Sequence, residues 1–364
     1  MKKQAVQRLL SLAPYQPGRP IDEVKRELGL RSVIKLASNE SPFGPSPRVL
    51  KAIEKAALDV NRYPDGGCFY LRQEVSKQLS VKAGQLVFGN GSDELIILAL
   101  RSFVNPGDEI LVSDPSFMVY SIGGKAVGAK VRVVPMKDFH HDLKALAAAV
   151  TENTKIIFLD NPGNPAGTYI TDQALRDFLT KIPSRVVVFL DEAYYEYACL
   201  QKDYPCSLSW ISQYPNVIVA RTFSKIYALA GLRVGYAIAS EEVADILNRV
   251  REPFNVNSLA QAAAVAALKD QAYYRKRAKD FKEQRQWLAD ECVKLGVRII
   301  PGVTNFVLID LQGAASPVAQ ELLKKGVIVR DMTAWGLKNF IRVTIGTDAE
   351  NQRFVKTFKT VLKK

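Results

Sequence analysis

The fold of this chain is decided at residues 186–191, where the sequence VVVFLD runs through apolar side chains and ends on a carboxylate. An apolar run without polar alternation is typical of a strand that is covered on both faces. Similar β-branched runs occupy residues 131–134, 155–159, 217–220 and 234–239, separated by turn residues and helical patterns. This alternation predicts an α/β domain in which a mostly parallel sheet is flanked by helices.

Changes in composition along the chain predict its domains. The region around positions 14–20 is rich in proline and glycine, which is typical of an extended arm rather than a core element. After position 252, an alanine-rich helix, a charged helix and several strand-like segments follow one another. We therefore predict an N-terminal arm that joins the small domain (1–48), a large α/β domain (49–251) and a smaller α+β domain (252–364).

Composition and charge limit the kinds of partner. Of the 364 residues, 48% are hydrophobic, which excludes a disordered chain, and 50 basic residues against 37 acidic ones give a formal net charge of +13. A positive net charge of this size favours nucleic acid, a membrane surface or an anionic small ligand as the binding partner. No secretory signal, membrane-length apolar run or C-x-x-C pair is evident, so we expect a cytoplasmic protein with no membrane partner.

The two histidines, His140 and His141, are adjacent and lie outside every motif described below. A metal site built on imidazole, or a serine–histidine hydrolase, would have to use one of them. We expect instead a solvated loop, with no bound metal and no imidazole catalysis.

A lysine in a distinctive setting occurs within residues 221–236, RTFSKIYALAGLRVGY. Lys225 follows two small hydroxyl residues, Thr222 and Ser224, just after an apolar strand, and Arg233 lies eight positions later. This pattern favours a lysine that bonds covalently to a carbonyl cofactor, whose phosphate the hydroxyls and the arginine fork would hold. A lysine without such neighbours would be interpreted as a surface residue.

Three further motifs follow strands or open a helix. Asp191 ends the apolar run, where a buried carboxylate needs a positive partner such as a protonated pyridine nitrogen, unless it only caps a helix. Residues 160–168, DNPGNPAGT, place two Asn-Pro steps after another strand, in what is otherwise ordinary turn chemistry. Residues 87–96, VFGNGSDELI, form a glycine-rich turn that offers helix N–H groups to an anion. As a dinucleotide-binding signal this turn is weak, because Glu94 replaces the third glycine.

These motifs, in this order, resemble those of the fold type I pyridoxal-phosphate-dependent aminotransferases. With residues 36–47 (LASNESPFGPSP), 62–65 (RYPD) and 340–347 (FIRVTIGT), the combined set is similar to the histidinol-phosphate aminotransferase group over nearly the whole chain. The resemblance implies pyridoxal 5′-phosphate as cofactor and transamination between L-histidinol phosphate and 2-oxoglutarate, a step of histidine biosynthesis. It also implies a homodimer whose subunits share each active site.

The resemblance further implies a role for each matching residue. The implied catalytic residues are Lys225, which would bind the cofactor covalently and act as general base, Asp191, which would keep the pyridine nitrogen protonated, and Tyr194. Tyr194 and Asn164 would hydrogen-bond the 3′-oxygen, and Phe117 would stack on the ring where the family usually has tyrosine. The other implied cofactor contacts are Gly91, Ser92, Asp93, Thr222, Ser224, Arg233 and Tyr63 of the partner subunit. The implied substrate contacts are Asn39, Arg330, Arg342 and Tyr15 of the partner subunit.

Several other functions are compatible with parts of the sequence. Within the family, an aromatic amino-acid aminotransferase, or an enzyme with both activities, is the nearest alternative, and a threonine-phosphate decarboxylase shares the fold. The net charge and the basic residues within 274–279 suggest a nucleic-acid-binding protein, but acidic residues interleave on the same predicted helix and no binding motif accompanies them. An NAD-dependent dehydrogenase would rest on the defective glycine motif and would leave Lys225 unexplained.

Overall fold

The computed structural model of this chain describes residues 2–14 and 16–363 and places their strands in two sheets. The strands are β1 (Ile34–Leu36), β2 (Leu86–Gly89), β3 (Glu109–Asp114), β4 (Lys130–Pro135), β5 (Thr154–Asp160), β6 (Val187–Asp191), β7 (Val217–Thr222), β8 (Gly235–Ile238), β9 (Arg298–Ile300), β10 (Phe306–Asp310), β11 (Val327–Asp331) and β12 (Phe340–Thr344). The α-helices are α1 (Ile21–Leu28), α2 (Pro47–Ala56), α3 (Phe69–Leu79), α4 (Gly91–Phe103), α5 (Met118–Val127), α6 (Leu143–Ala148), α7 (Asp172–Leu179), α8 (Tyr195–Ala198), α9 (Glu241–Arg249), α10 (Ser258–Leu268), α11 (Gln271–Lys294), α12 (Ala315–Lys324) and α13 (Asp348–Leu362). Among the described residues, no helix combines the length and the apolar character that a membrane span requires.

The larger sheet has the strand order β2-β8-β7-β6-β5-β3-β4. Strands β3 to β7 run parallel, and β8 is antiparallel to both of its neighbours. The α/β prediction with a mostly parallel sheet is therefore confirmed. All five predicted runs are strands of this sheet, and the last of them is the antiparallel β8.

Strand β6 shows why its sequence lacks polar alternation. Val188 and Leu190 belong to the hydrophobic core on one face of the sheet, whereas Val187 and Phe189 belong to the core on the other face. Because both faces are covered, every position on the strand favours an apolar side chain. Burial of such side chains contributes about 1.5–3 kcal/mol each, so the strand holds its last residue, Asp191, in a fixed position.

The smaller sheet has the strand order β1-β11-β12-β10-β9 and is antiparallel except for the β1–β11 pair. The smaller sheet therefore combines β1, which precedes the larger sheet in the sequence, with four strands that follow the larger sheet. Helix α10 packs against α2 and α3. The domain boundaries at 48/49 and 251/252 stay a prediction.

The carboxyl ends of three parallel strands meet at one edge of the larger sheet. Asp160 of β5, Asp191 of β6 and Ala220 of β7 lie in register there. Helix α4 begins at the same edge, immediately after β2. Ligand sites of open α/β sheets lie at such carboxyl ends, so this edge is where a site is expected.

Candidate active site

A cavity of about 430 Å³ lies at this edge and is lined from both sheets. Asp191 and Lys225 reach it from the larger sheet, and Arg330 and Arg342 reach it from β11 and β12. Most of the predicted site residues line it together: Asn39, Ser92, Asp93, Phe117, Asn164, Asp191, Tyr194, Thr222, Ser224, Lys225, Arg233, Arg330 and Arg342.

Two predicted site residues in the described part of the chain, Gly91 and Tyr63, do not line this cavity. Gly91 lies directly behind Arg233, where a Cβ atom would come within 2.3 Å of Arg233 Nη2, and its φ of +77° also favours glycine. Tyr63 is 83% exposed and stacks on Phe254 with ring centroids 4.8 Å apart, away from the cavity lining of its own chain. Tyr15 lies outside the described residues.

Asp191 is the most strongly perturbed acid of the cavity. Its carboxyl is buried, accepts a hydrogen bond from the Tyr120 hydroxyl at 2.9 Å, and accepts another from the Ala193 N–H at 3.1 Å. Burial raises the pKa of Asp191 to about 7, the Tyr120 hydrogen bond opposes this rise, and the charge of Asp160 adds to it. A cation placed against this carboxylate would be strongly stabilised.

Hydroxyl and guanidinium donors collect at the end of β7. Thr222 Oγ1 accepts from the Ser224 N–H at 3.1 Å and donates to Ser224 Oγ at 3.0 Å. Arg233 reaches the same hydroxyl at 3.4 Å and forms an ion pair with Asp93 at 3.1 Å. Together with the first turn of α4, these donors form a cradle that suits a phosphate group.

Tyr194 connects the two sheets across the cavity. The Asn39 amide nitrogen donates to the Tyr194 hydroxyl oxygen at 2.8 Å, and the Asn39 amide oxygen accepts from Thr344 of β12 at 3.1 Å. Burial raises the pKa of Tyr194 to about 12, so the phenol stays protonated at neutral pH. Because Asn39 donates to it, the hydroxyl hydrogen of Tyr194 is available to an acceptor in the cavity.

Two arginines lie opposite each other on neighbouring strands of the smaller sheet. Arg342 is 5% exposed, donates to the Asn164 side-chain oxygen and donates to the Ala37 carbonyl at 3.1 Å. Arg330 donates to the Gln16 carbonyl at 2.7 Å and lies 4.9 Å above the Trp335 ring. Both therefore bring positive charge to the part of the cavity that faces away from the sheet edge.

Sequence reasoning missed Tyr120, which lines the cavity and donates to Asp191. Its ring meets the Phe117 ring edge-on at a centroid distance of 5.6 Å. The only signal was its position three residues after Phe117 at the start of α5, since residues at this spacing share a helix face.

The expectation of a solvated loop is wrong for His141. Its side chain is 3% exposed and lies between Ser113 and Asp160, both of which belong to strands of the larger sheet. The chain returns to the sheet edge after β4, so a loop residue fills space beside β5. Within the described residues, no group of histidines, cysteines and acids is arranged to hold a metal ion.

The polar groups of the cavity fit pyridoxal 5′-phosphate. Lys225 offers a primary amine for the aldehyde carbon, and the buried Asp191 carboxyl offers a partner for a protonated ring nitrogen. The donor cradle at Arg233 suits the phosphate, and Gly91 leaves the space that the guanidinium occupies. Tyr194 and Asn164 supply polar groups for the ring oxygen.

Comparison with known proteins gives consistent matches over nearly the whole chain. Residues 31–358 match the family described as aminotransferase class I and II. The chain is 47% identical over 355 residues to the histidinol-phosphate aminotransferase of Moorella thermoacetica, covering 97% of this chain and 92% of that protein. It is 48% identical over 353 residues to histidinol-phosphate aminotransferase 2 of Pseudomonas fluorescens, covering 96% and 95% respectively.

Among solved structures, the histidinol-phosphate aminotransferase from Sinorhizobium meliloti in complex with pyridoxal 5′-phosphate is similar to this chain with a TM-score of 0.92. The sequence identity is 31%, and the match covers 99% of this chain and 98% of that one. The two-sheet architecture and the complete candidate site therefore lie within the matched region.

Proposed function

The chain belongs to the family of class I and II aminotransferases, and on this basis we propose that it catalyses pyridoxal-phosphate-dependent transamination between L-histidinol phosphate and 2-oxoglutarate. The products are imidazole acetol phosphate and glutamate, and the reaction is a step of histidine biosynthesis. The observation that carries the proposal is the convergence of Lys225, Asp191 and Arg342 on one cavity. It is supported by nearly half identity to histidinol-phosphate aminotransferases over almost the whole chain.

Pyridoxal phosphate, when bound, supplies an electron-withdrawing ring that stabilises the electron pair left on a substrate carbon after deprotonation. Lys225 is the residue that attaches it covalently and then moves the proton at the substrate Cα. The Lys225 Nζ lies 5.5 Å from the centroid of the Tyr194 ring, inside the cavity lining. Proton transfer by a base held in position contributes roughly 10²–10⁴ in rate.

Asp191 and Tyr194 control protons at two other atoms. The Asp191 carboxylate holds a proton on the ring nitrogen, and Tyr120 and Ala193 orient that carboxylate through their hydrogen bonds. Tyr194 donates its hydroxyl hydrogen to the ring oxygen. The hydrogen bond that the Tyr194 oxygen accepts from Asn39 supports this arrangement.

Anion binding is divided between two groups of residues. For the cofactor phosphate we propose the side chains of Thr222, Ser224 and Arg233 with the backbone at Gly91, Ser92 and Asp93. For the substrate we propose Arg342, assisted by Arg330 and Asn39, as the partners of its carboxylate or phosphate. A phosphate monoester carries about −1.5 to −2 charges at neutral pH, which a pair of arginines can match.

Aromatic amino acids are a second candidate class of substrate. The cavity lining includes the apolar side chain of Val119 beside Phe117, which would stack on the cofactor ring, and an apolar surface of this kind would accept a phenyl ring. Steady-state comparison of kcat/KM for histidinol phosphate, phenylalanine and tyrosine separates the two. We expect the highest value with histidinol phosphate, and a higher value with phenylalanine would reassign the physiological substrate.

The proposal is tested most directly by the covalent attachment of the cofactor. The purified protein should be yellow, lose this colour on borohydride treatment, and yield one labelled peptide that contains Lys225. The Lys225→Ala variant should take no label, whereas Lys155→Ala, a half-exposed lysine on β5, should label normally. A wild-type protein that never takes up pyridoxal phosphate would contradict the function.

We also propose a homodimer in which Tyr63 of the partner subunit completes each site. The support is an exposed apolar surface around Tyr63 that includes large side chains on α3 and near it: Leu58, Val60, Tyr63, Phe69, Tyr70 and Phe254. Surfaces of this kind mark protein contacts. Sedimentation should give twice the chain mass, and mixing Lys225→Ala with Tyr63→Ala protein should restore activity, because one of the two sites in the mixed dimer would then be intact.

The compartment that we propose is the cytoplasm. The support comes from four cysteines with free thiols, two of them exposed, which a reducing compartment preserves. Fractionation of cells that produce the protein should recover it with the cytoplasmic enzymes.

A further inference from the structure

His141 is a buried imidazole that the proposed mechanism does not use. Its Nδ1 lies 2.7 Å from the Ser113 hydroxyl oxygen, and its Nε2 lies 3.0 Å from the Asp160 backbone oxygen and 3.1 Å from Asp160 Oδ1. The Asp160 backbone oxygen can only accept, so the ring hydrogen is on Nε2 and is donated to that oxygen, whereas the buried Oδ1 lies beside the ring without a hydrogen-bond partner among the described residues. The serine hydroxyl can serve Nδ1 as donor or acceptor.

The Asp160 carboxylate links this ring to the cavity. Its other oxygen, Oδ2, accepts the Asn164 N–H at 2.7 Å. The Asn164 side chain in turn accepts from Arg342. One carboxylate thus lies between the histidine on one side and, on the other, the turn that presents Asn164 to the cavity, where Arg342 of β12 contacts it.

Asp160 also stands beside Asp191. The two residues are in register on the neighbouring parallel strands β5 and β6, so their side chains leave the same face of the sheet edge. Both are buried. Two buried carboxylates at this spacing destabilise each other unless donors satisfy them. Asn164 is the donor to Asp160 Oδ2, and His141 donates to the Asp160 backbone oxygen beside Oδ1.

We propose that His141 is a positioning residue for the cofactor site: anchored on Ser113, it holds Asp160 by its backbone oxygen and lies against Oδ1, so that the Asp160 carboxylate fixes the Asn164 turn beside Asp191. This inference rests on the proposed function, because the ligand whose binding it affects is pyridoxal phosphate. His141 contacts neither the cofactor nor the substrate. Without its ring, the Asp160 backbone oxygen loses its donor, and the carboxylate has room to turn away from Asn164.

The test measures the dissociation constant of pyridoxal phosphate by absorbance titration of the cofactor-free protein. His141→Leu removes the N–H donor and should weaken binding about fivefold, as expected for the loss of a hydrogen bond to a neutral backbone oxygen. His141→Gln keeps an N–H at a similar reach and should bind within about twofold of wild type. The matched control is His140→Leu, because His140 is the adjacent exposed histidine and should leave binding unchanged.

A double-mutant cycle distinguishes positioning from a general structural role. If His141 acts through the Asp160 carboxylate, His141→Leu should have almost no further effect on binding in an Asp160→Ala background, since no carboxylate is left to be positioned. Thermal unfolding of each variant reports its structural cost separately. Additive effects, or His141→Gln as defective as His141→Leu, would overturn the proposal.

A His141→Leu variant that does not fold and a wild-type protein that binds no cofactor have different meanings. If His141→Leu does not fold, Ser113→Ala removes the other anchor of the ring and should weaken binding by about threefold; binding equal to wild type would overturn the proposal. A wild-type protein that binds no pyridoxal phosphate contradicts the proposed function. Wild-type binding with an unaffected His141→Leu variant contradicts only the role of His141.

Discussion

Asp191 and Glu192 are consecutive residues, and both are buried, yet they have different kinds of partner. The Glu192 carboxylate lies 2.8 Å from Arg221 Nη2 and accepts a hydrogen bond from Ser207. The Asp191 carboxylate accepts from a phenol and a backbone amide, both neutral, and faces the cavity. The chain turns at the end of β6, so neighbouring side chains enter separate environments.

The difference separates a buried carboxylate that is paired within the protein from one that is available to a ligand. Glu192 and Arg221 neutralise each other inside the protein, with the Arg221 guanidinium stacked 3.4 Å above the Tyr195 ring. Their pairing serves the fold. Asp191 is oriented by neutral donors, so its charge is available to a cation that enters the cavity. Position relative to the cavity, rather than residue type, separates the structural carboxylate from the functional one.

The largest effect should come from breaking the structural pair. Glu192→Ala leaves Arg221 as an uncompensated buried charge, which costs about 3–5 kcal/mol of unfolding free energy. Urea denaturation measures it. The control is Glu252→Ala, whose pair with Arg101 is exposed and should contribute about 0–1 kcal/mol. Equal stabilities of the two variants would show that the buried pair has no special role.

The functional carboxylate should respond in the opposite way. Asp191→Asn is expected to lower kcat roughly 10²–10³-fold, the range typical of losing one electrostatic group aimed at the reacting system. Its unfolding free energy should not fall, because a neutral amide is easier to bury than a carboxylate. Parallel kinetics and urea denaturation test both parts, and a variant as unstable as Glu192→Ala would contradict the comparison.

The pH dependence of stability sharpens the same contrast. In the unfolded chain Asp191 ionises near its ordinary pKa of 3.8, but in the folded protein its pKa is about 7. The folded protein therefore binds more protons between these values, so its unfolding free energy should fall as pH rises from about 4 to 7. Partly buried Glu196, with its pKa also raised to about 7, acts in the same direction.

Because Glu196 acts in the same pH range, Asp191 is tested by the difference in unfolding free energy between wild type and Asp191→Asn at each pH. Urea denaturation of the cofactor-free proteins across this pH range should show a shallower decline for the variant. Parallel curves would mean that Asp191 does not titrate in this window.

The smallest effect is expected from the hydroxyl that orients Asp191. Tyr120→Phe removes one hydrogen bond, which is worth about 1 kcal/mol, and should weaken pyridoxal phosphate binding severalfold. Losing this donor should also raise the pKa of Asp191 further, since the Tyr120 hydrogen bond lowers it. Absorbance titration measures the binding, and Tyr169→Phe, which alters an exposed hydrogen bond to Asp203, is the control.

The parts of the site that could be predicted from the sequence are those at strand ends. Lys225, Asp191 and Asn164 follow apolar runs, and the carboxyl ends of parallel strands converge whatever the details of packing. The residue pattern itself favoured a cofactor-binding role for Lys225 and Asp191, whereas the role of Asn164 came from the family resemblance. Arg342 was also identified by the family resemblance, because the sequence pattern of β12 does not indicate which neighbouring strand the arginine faces.

Tyr120 and His141 could not be predicted because their positions depend on packing between distant segments. Tyr120 reaches Asp191 only through the rotation of α5, and His141 reaches Asp160 only because the loop after β4 folds back to the sheet. In the fold, the apolar runs predicted the central strands, whereas β3, with a shorter apolar stretch between Glu109 and Ser113, was missed.

The composition of the smaller sheet has a consequence for the order in which the protein becomes active during synthesis. β1 leaves the ribosome before the strands of the larger sheet, but its partner β11 and the Arg342 strand β12 emerge after all of those strands. Domains generally fold as they appear. A nascent chain can thus acquire the Lys225 side of the cavity first, and it gains the means to hold a substrate anion only after β11 and β12 have followed.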